Sequence, residues 1–404
     1  MGAGGCRNPH EQCMTLSHYD VIIIGAGASG LMAAIHSAKR GRSVLVIDHA
    51  NRAGKKMLVS GGGKCNFTNR KISYSDYFGR DSLFCKYALK RFPAKAIVSI
   101  LRAANIETEE REHGRLFCKN GANEIVSYLV DTAKNAGVQF LFNTKIVSVN
   151  HSSLFSINCA GQTFYAPCLL IATGGLSWPQ LGATSFGYAL AEQFGHSIIP
   201  LKPALAGFII PFNSPLLHLQ GISLEVQLSI KGKDIIVAEP LLFTHQGISG
   251  PAALQGSCFW EKGEALVLNF LPSQDIVLQM HKPENGKCLV KGLLTQILPE
   301  RLVKAIVPEQ LNSRKVAELN KIERKIIAGC IHDYQVVPRD VESFAKAEAT
   351  LGGVNTGEID PVSMESRLKK GLFFSGEVID ITGKLGGYNI HWALASGFVA
   401  GQNL

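Results

Sequence analysis

Between Tyr19 and Asp48 an apolar run, Val21 to Ile24, enters Gly25-Ala26-Gly27-Ala28-Ser29-Gly30, and a second apolar run ends on Asp48. The first run is β-branched with no polar alternation, as in a strand buried on both faces of a parallel sheet. From Ser29 to Arg40 the apolar Leu31, Ala34, Ile35 and Ala38 share one helical face, and Gly41 stands where a left-handed cap would close the helix. Arg42 to Asp48 reads as the second strand of a βαβ unit. In such a unit Gly25 permits the tight turn, Gly27 lets the backbone approach a pyrophosphate, and Gly30 lets helix and strand pack closely. The backbone of Ala26, Ala28 and Ser29 opens the helix, whose positive N-terminus favours phosphates.

Asp48 stands where a carboxylate accepts hydrogen bonds from ribose hydroxyls. A 2′-phosphate about 4 Å away would be repelled by up to about 4 kcal/mol at an effective dielectric near 20. The unit therefore predicts a dinucleotide with a free 2′-hydroxyl.

The 404 residues, 46% hydrophobic, suffice for two or three domains. No apolar run is long enough to span a bilayer, and residues 1–17 read as a disordered leader with no apolar signal core. Met14 is an alternative start. Ten cysteines with no C-x-x-C and no His/Cys pairs at zinc spacing argue for a reducing cytoplasm, no metal and no redox dithiol. The net charge of +9 raises the question of nucleic acid, but the basic residues form no run of five or six. That reading disfavours nucleic acid and attributes the charge to a solvated surface and an anionic cofactor. The oligomeric state is not legible.

The loop from Ala50 to Asn69, rich in glycine and lysine, is suited to wrapping an anion. Helices are expected over about 86–104 and 124–136 with a short hairpin between them at 107–118. A small antiparallel sheet is expected over 145–165, and a buried strand, Cys168 to Thr173, ends in Thr173-Gly174-Gly175. From Ala191 the pattern turns antiparallel, and from Gln274 to His332 helical, notably over 315–331. Gly371 to Ser375 restores a buried strand, followed by Gly376-Glu377, Asp380, Gly386-Gly387-Tyr388-Asn389-Ile390 and a final helix to about Ala400. These patterns predict an α/β fold: a Rossmann-like domain from 18–190 plus 345–404, an inserted mainly antiparallel β module from 191–273 plus 333–344, and a helical subdomain at 274–332.

Six segments in this order resemble the BaiN-like, aminoacetone-oxidase-like family of bacterial NAD(P)/FAD-dependent oxidoreductases. They are the fingerprint, Ser60-Gly61-Gly62-Gly63-Lys64-Cys65-Asn66, Ala172-Thr173-Gly174-Gly175, Phe243 to Pro251, Leu351-Gly352-Gly353-Val354, and Gly376-Glu377 with Gly386 to Asn389. The resemblance, covering about Tyr19 to Gly401, implies FAD bound in a two-dinucleotide-binding-type domain. It extends the cofactor set to His49, Lys56, Gly62, Lys64, Cys65, Asn66 and Ile146, alongside Thr173, Gly174, Gly175, Gly376, Glu377, Asp380, Gly386, Gly387, Tyr388, Asn389 and Ile390. The family's more usual arginine is Lys64 here, which keeps the charge and loses the guanidinium fork. A helix N-terminus at Gly387 to Ile390 would stabilise negative charge on a reduced flavin ring.

Single residues carry less. Cys65 reads better as a small packing residue than as a thiol catalyst. His245, in a Thr-His-Gln-Gly turn, is the acid–base candidate, although a histidine fixing that turn is the plainer account. The function expected is hydride transfer between FAD and a small organic substrate, with NAD(P)H as a transient reductant because no second fingerprint exists. Oxygen as acceptor and reduction of an activated double bond both stay open. The alternative is a flavoprotein whose FAD is structural or sensory and whose inserted domain binds a protein or RNA.

Overall fold

The structure, a computed structural model, describes residues 17–404. The expected leader, apart from Ser17, and the alternative start at Met14 lie outside the described residues.

Five parallel strands form the central sheet, in the spatial order Leu372–Phe374, Cys168–Ile171, Val21–Ile24, Val44–Ile47, Gln139–Leu141. The two strands of the βαβ unit are buried along their whole length, which accounts for their unbroken apolar composition. Chain order reverses beside Val21–Ile24, the switch point at which α/β sheets leave a crevice beyond the strands' carboxyl ends.

The fingerprint helix, Ala28–Ala38, lies against the C-terminal helix, Tyr388–Asn403. Small residues make this approach possible: a Cβ on Gly397 would sit 2.2 Å from the Ser29 carbonyl oxygen, and one on Gly401 would sit 2.6 Å from that of Ala33. At the far ends of the pair Arg40 donates to the Leu404 carbonyl at 2.9 Å. The two ends of the chain thus share one core, which includes Leu31, Ala34, Trp392 and Val399.

A second core lies between residues 208 and 336. Its frame is a seven-stranded antiparallel sheet, with Ser223–Ile230, Ile236–Phe243 and Leu266–Asn269 adjacent and helices from the 276–332 stretch packed against it. Val226, Leu228 and Ile230 alternate inward as their spacing predicts. The two cores are joined by Ile198–Ala204 pairing with Ala349–Val354 and by contact of the Phe78 and Phe259 rings at 4.7 Å. No helix among the described residues is long and apolar enough to cross a membrane.

Three local expectations change. The 50–69 loop contains a helix, Lys55–Gly63, interrupted where Ser60 to Gly62 leave helical angles. The helix expected over 86–104 is two, Lys86–Arg91 and Ala94–Ala103, because Pro93 drives Phe92 out of the helical region. The helix expected from 315 begins at Lys321, where Asn320 and Glu323 form a reciprocal capping box.

Gly397→Ala should lower stability by about 1–3 kcal/mol through overpacking, read as a lower urea midpoint. The control Gly292→Ala, whose Cβ would meet nothing within 4 Å, should be neutral or gain up to about 1 kcal/mol of helix propensity. Equal midpoints would show slack between the two terminal helices.

Candidate functional site

Four strands of the parallel sheet deliver their following residues to one place. Ile24 leads to Gly25, Ile47 to Asp48, Ile171 to Ala172-Thr173, and Phe374 to Ser375-Gly376-Glu377. A cavity of about 660 Å³ runs across these ends, within the range of about 300–1,000 Å³ usual for ligand sites.

At one end the fingerprint behaves as its glycines require. A Cβ on Gly30 would sit 1.9 Å from the Gly25 carbonyl oxygen, whereas one on Gly27 would meet nothing within 4 Å. Gly30 therefore serves helix packing, and Gly27 leaves a cradle open to the cavity at the helix N-terminus. Asp48 accepts the Ala26 N–H on Oδ2 and the Ala50 N–H on Oδ1, each at 2.7 Å. These bonds orient the carboxylate and leave a lone pair on each oxygen for a hydroxyl pair. Arg52, Lys55 and Lys56 line the wall, and the Thr173 hydroxyl is buried without a hydrogen-bond partner. A diphosphate dinucleotide fits this donor set.

At the other end the C-terminal helix begins at Gly387, whose φ of 95° suits glycine, and a Cβ there would meet the Thr68 carbonyl oxygen at 2.3 Å. Asn389 holds the preceding turn by exchanging hydrogen bonds with the Gly383 backbone at 2.8 and 2.9 Å. Arg115 lies along Gly386, with Nε 3.2 Å from where a Cβ would stand. Its guanidinium and His113 approach Glu239 of the second core at 3.6 and 3.5 Å. Lys384 pairs with Asp76 at 2.9 Å. Between the ends Glu377 receives Lys56 at 2.6 Å, the Thr350 N–H at 2.9 Å and the Ser177 hydroxyl at 3.3 Å. Leu205, Leu254, Leu385 and Glu348 close this side. Burial raises the pKa of Glu348 against the opposing pull of Lys56 and Arg115.

Of the residues singled out in the sequence, Gly25 to Ser29, Asp48, His49, Lys56, Gly62, Asn66, Thr173 to Gly175, Glu377, Gly386, Gly387, Asn389 and Ile390 line the cavity together. Others lie outside its lining. Lys64 pairs with Glu109 at 3.4 Å. Cys65 is buried, and desolvation pushes its thiol up to about 12, so it stays protonated. Gly30 and Gly376 pack behind the wall, the latter against the Ser29 side chain. Asp380 accepts the Arg80 N–H at 2.8 Å. The Tyr388 hydroxyl donates to the Lys71 carbonyl at 3.2 Å, and burial moves it up to about 12. Ile146 opens a strand of the small antiparallel sheet. His245 is exposed at the turn between Ile236–Phe243 and Gly247–Ser249, away from the cavity lining. No group of His, Cys, Asp or Glu among the described residues could hold a metal ion.

Pattern alone missed Arg115, Glu348, Lys384, Leu205 and Leu254. Arg115 sits in a hairpin without a motif, and Glu348 merely precedes the Leu351-Gly352-Gly353 segment. Arg52 and Lys55 had a signal in the Gly/Lys-rich loop.

A family model described as HI0933-like protein Rossmann domain matches residues 19–403. The chain is 38% identical to the ribosomal RNA dihydrouridine synthase of Escherichia coli K12, covering 96% of this chain and 98% of that protein. The Haemophilus influenzae protein of the same name is 37% identical, over 95% and 98%. A 3-dehydro-bile acid delta(4,6)-reductase of Clostridium scindens is 30% identical, over 94% and 97%. Among solved structures, the 3-ketosteroid delta1-dehydrogenase of Sterolibacterium denitrificans aligns over 95% of this chain and 99% of that one at 14% identity, with a TM-score of 0.49.

Asp48→Ala removes the hydroxyl acceptor and strands two backbone N–H groups. A charged hydrogen-bond partner is worth about 1.5–3 kcal/mol, so the apoprotein should bind FAD roughly 10- to 100-fold more weakly in a flavin-fluorescence titration. An unchanged Kd would remove Asp48 from the ribose role.

Proposed function

The chain belongs to the HI0933-like family of FAD-binding Rossmann proteins and is a flavin-dependent oxidoreductase, and on that premise we propose that it reduces a uracil base of ribosomal RNA to dihydrouracil. The family relatives support the reaction class. A dihydrouridine synthase and a delta(4,6)-reductase both, by name, saturate a carbon–carbon bond. In uracil that bond is conjugated to a carbonyl, which makes its far carbon a hydride acceptor. When bound, FAD supplies that hydride, and NAD(P)H is the reductant we assign to it.

One observation carries the choice of RNA: the placement of the positive charge. Residues 191–344 contain fifteen lysines and arginines and fifteen acidic residues, so the inserted part of the chain is neutral. Between Arg52 and Arg102 stand twelve basic residues against only Asp76 and Asp81. The absence of a basic run in sequence had argued against nucleic acid, but the folded chain gathers this charge on consecutive short elements. Lys71, Arg80, Lys86, Lys90, Arg91, Lys95 and Arg102 are exposed and have no ion-pair partner among the described residues. The segment abuts the ring end of the cavity. Tyr77–Phe78 pairs with Thr382–Gly383, Asp76 holds Lys384, and Lys86–Arg91 packs on the C-terminal helix beside the Phe84 and Trp392 rings, 6.2 Å apart. Exposed Tyr74, with the Lys86 ammonium 5.2 Å from its ring centre, offers an aromatic face in the same place. Phosphates met by such charge release counterions and give a salt-dependent affinity.

The test is purified FAD-loaded protein with NADPH and a ribosomal RNA transcript, followed by mass spectrometry for nucleosides heavier by two hydrogens. Lys86→Glu combined with Lys90→Glu and Lys95→Glu should weaken RNA binding and flatten the salt dependence by roughly one unit of log–log slope per lost phosphate contact, with flavin content unchanged. Reduction of a 3-oxo-4,6-diene steroid with no reaction on RNA would replace this reading with a small-molecule one.

A further inference from the structure

We infer that Glu348 is the proton donor of this reaction. The inference rests on the reductase reading of the cavity and assigns the half of the chemistry that a hydride donor leaves undone. Adding hydride to the far carbon of a carbonyl-conjugated double bond moves the electron pair onto the carbon next to the carbonyl and the carbonyl oxygen. That carbon must then take a proton. The Glu348 carboxyl gives one up, becomes a carboxylate and recovers its proton from water. Bound FAD would supply the hydride, and NAD(P)H would replace it.

The cavity lining singles out Glu348 by chemistry. Its carboxylates are Asp48, Glu348 and Glu377. Asp48 is committed to the Ala26 and Ala50 N–H groups at the fingerprint end. Both oxygens of Glu377 are engaged, by Lys56 on one and by the Thr350 N–H and the Ser177 hydroxyl on the other. The Glu348 side chain has no hydrogen-bond or ion-pair partner among the described residues. The lining contains no cysteine or tyrosine, and its histidine, His49, stands 3.7 Å from Asp48 at the opposite end.

Position agrees with the role. The Glu348 N–H donates to the Leu205 carbonyl at 3.2 Å, which places the residue among Leu205, Leu254 and Leu385. Leu385 directly precedes the Gly386-Gly387 turn that opens the C-terminal helix. Glu348 is exposed to the cavity, while the surrounding protein desolvates it enough to raise its pKa. The charged groups facing this end are Lys56, Arg115 and Lys384. Each also has a carboxylate of its own, in Glu377, Glu239 and Asp76. Their pull on Glu348 is thereby blunted, and apolar walls keep the acid protonated to higher pH than an exposed glutamate.

The experiment compares FAD-loaded wild type with Glu348→Gln and Glu348→Asp. Anaerobic bleaching of the flavin by NADPH, reoxidation by oxygen and RNA binding should match in all three. Reoxidation of the reduced flavin by ribosomal RNA should slow by about 100- to 10,000-fold in Glu348→Gln, the range a positioned acid supplies, with partial recovery in Glu348→Asp. In wild type that step should decline as pH rises through the Glu348 pKa, and in Glu348→Gln it should be flat. Infrared difference spectra of wild type against Glu348→Gln, recorded without any turnover, should show the carboxyl ionising at higher pH than a free glutamate. Equal RNA-dependent reoxidation in wild type and Glu348→Gln, or a carboxyl that ionises in the infrared as a free glutamate does, overturns the assignment. If wild type leaves RNA unreduced, the substrate reading fails by itself. The infrared band, and the same comparison with a 3-oxo-4,6-diene steroid, then decide Glu348.

Discussion

Contact between the fingerprint helix and the C-terminal helix is the constraint from which the rest of the molecule follows. Gly397 and Gly401 let the two backbones approach to a distance that any side chain would prevent. The contact closes a loop of more than three hundred residues, whose ordering entropy must be met by apolar burial in the shared core. Its consequence is spatial. The N-termini of two helices, one from each end of the chain, bear on a single cavity, each with the positive end of its dipole.

Inside the cavity the polar groups divide by commitment. Asp48 and Glu377 are held by backbone and side-chain donors, a rigid arrangement suited to positioning. Arg115 links the cavity to the second core through Glu239, whose Oε2 is buried with no hydrogen bond. That pair ties the inserted part of the chain to the ring end by charge, with the Phe78–Phe259 contact beside it.

Much of this was legible in sequence wherever backbone geometry dictates residue type. Gly25, Gly30 and Gly387 stand where a Cβ would strike backbone, and Gly27 and Asp48 line the cavity, so a spacing set by backbone geometry pointed to one place in the fold. Residues that act through side chains from elsewhere in the fold were not legible. Arg115 reaches Gly386 from a hairpin 271 positions earlier, and Glu348 faces the cavity because of strand pairing with a distant segment. No local pattern records either contact. A search for basic runs looks along the chain and does not register residues 52–102, where the basic residues stand on several short exposed elements separated by buried residues. Helix ends were misjudged where one residue overrides periodicity, as Pro93 and Asn320 do.

The pairing of Ile198–Ala204 with Ala349–Val354 acts as a ruler for the chemistry. Thr350, within that strand, is hydrogen-bonded to Glu377, and Glu348 lies just before the strand's first residue. A slip of one position would put Ala347 or Ala349 where the acid stands and would also detach Thr350 from Glu377. A single-residue insertion between 345 and 350 would therefore move Glu348 and Thr350 together against Glu377. A change of chain length near this pairing can be judged by one criterion, whether it displaces Glu348 and Thr350 from Glu377.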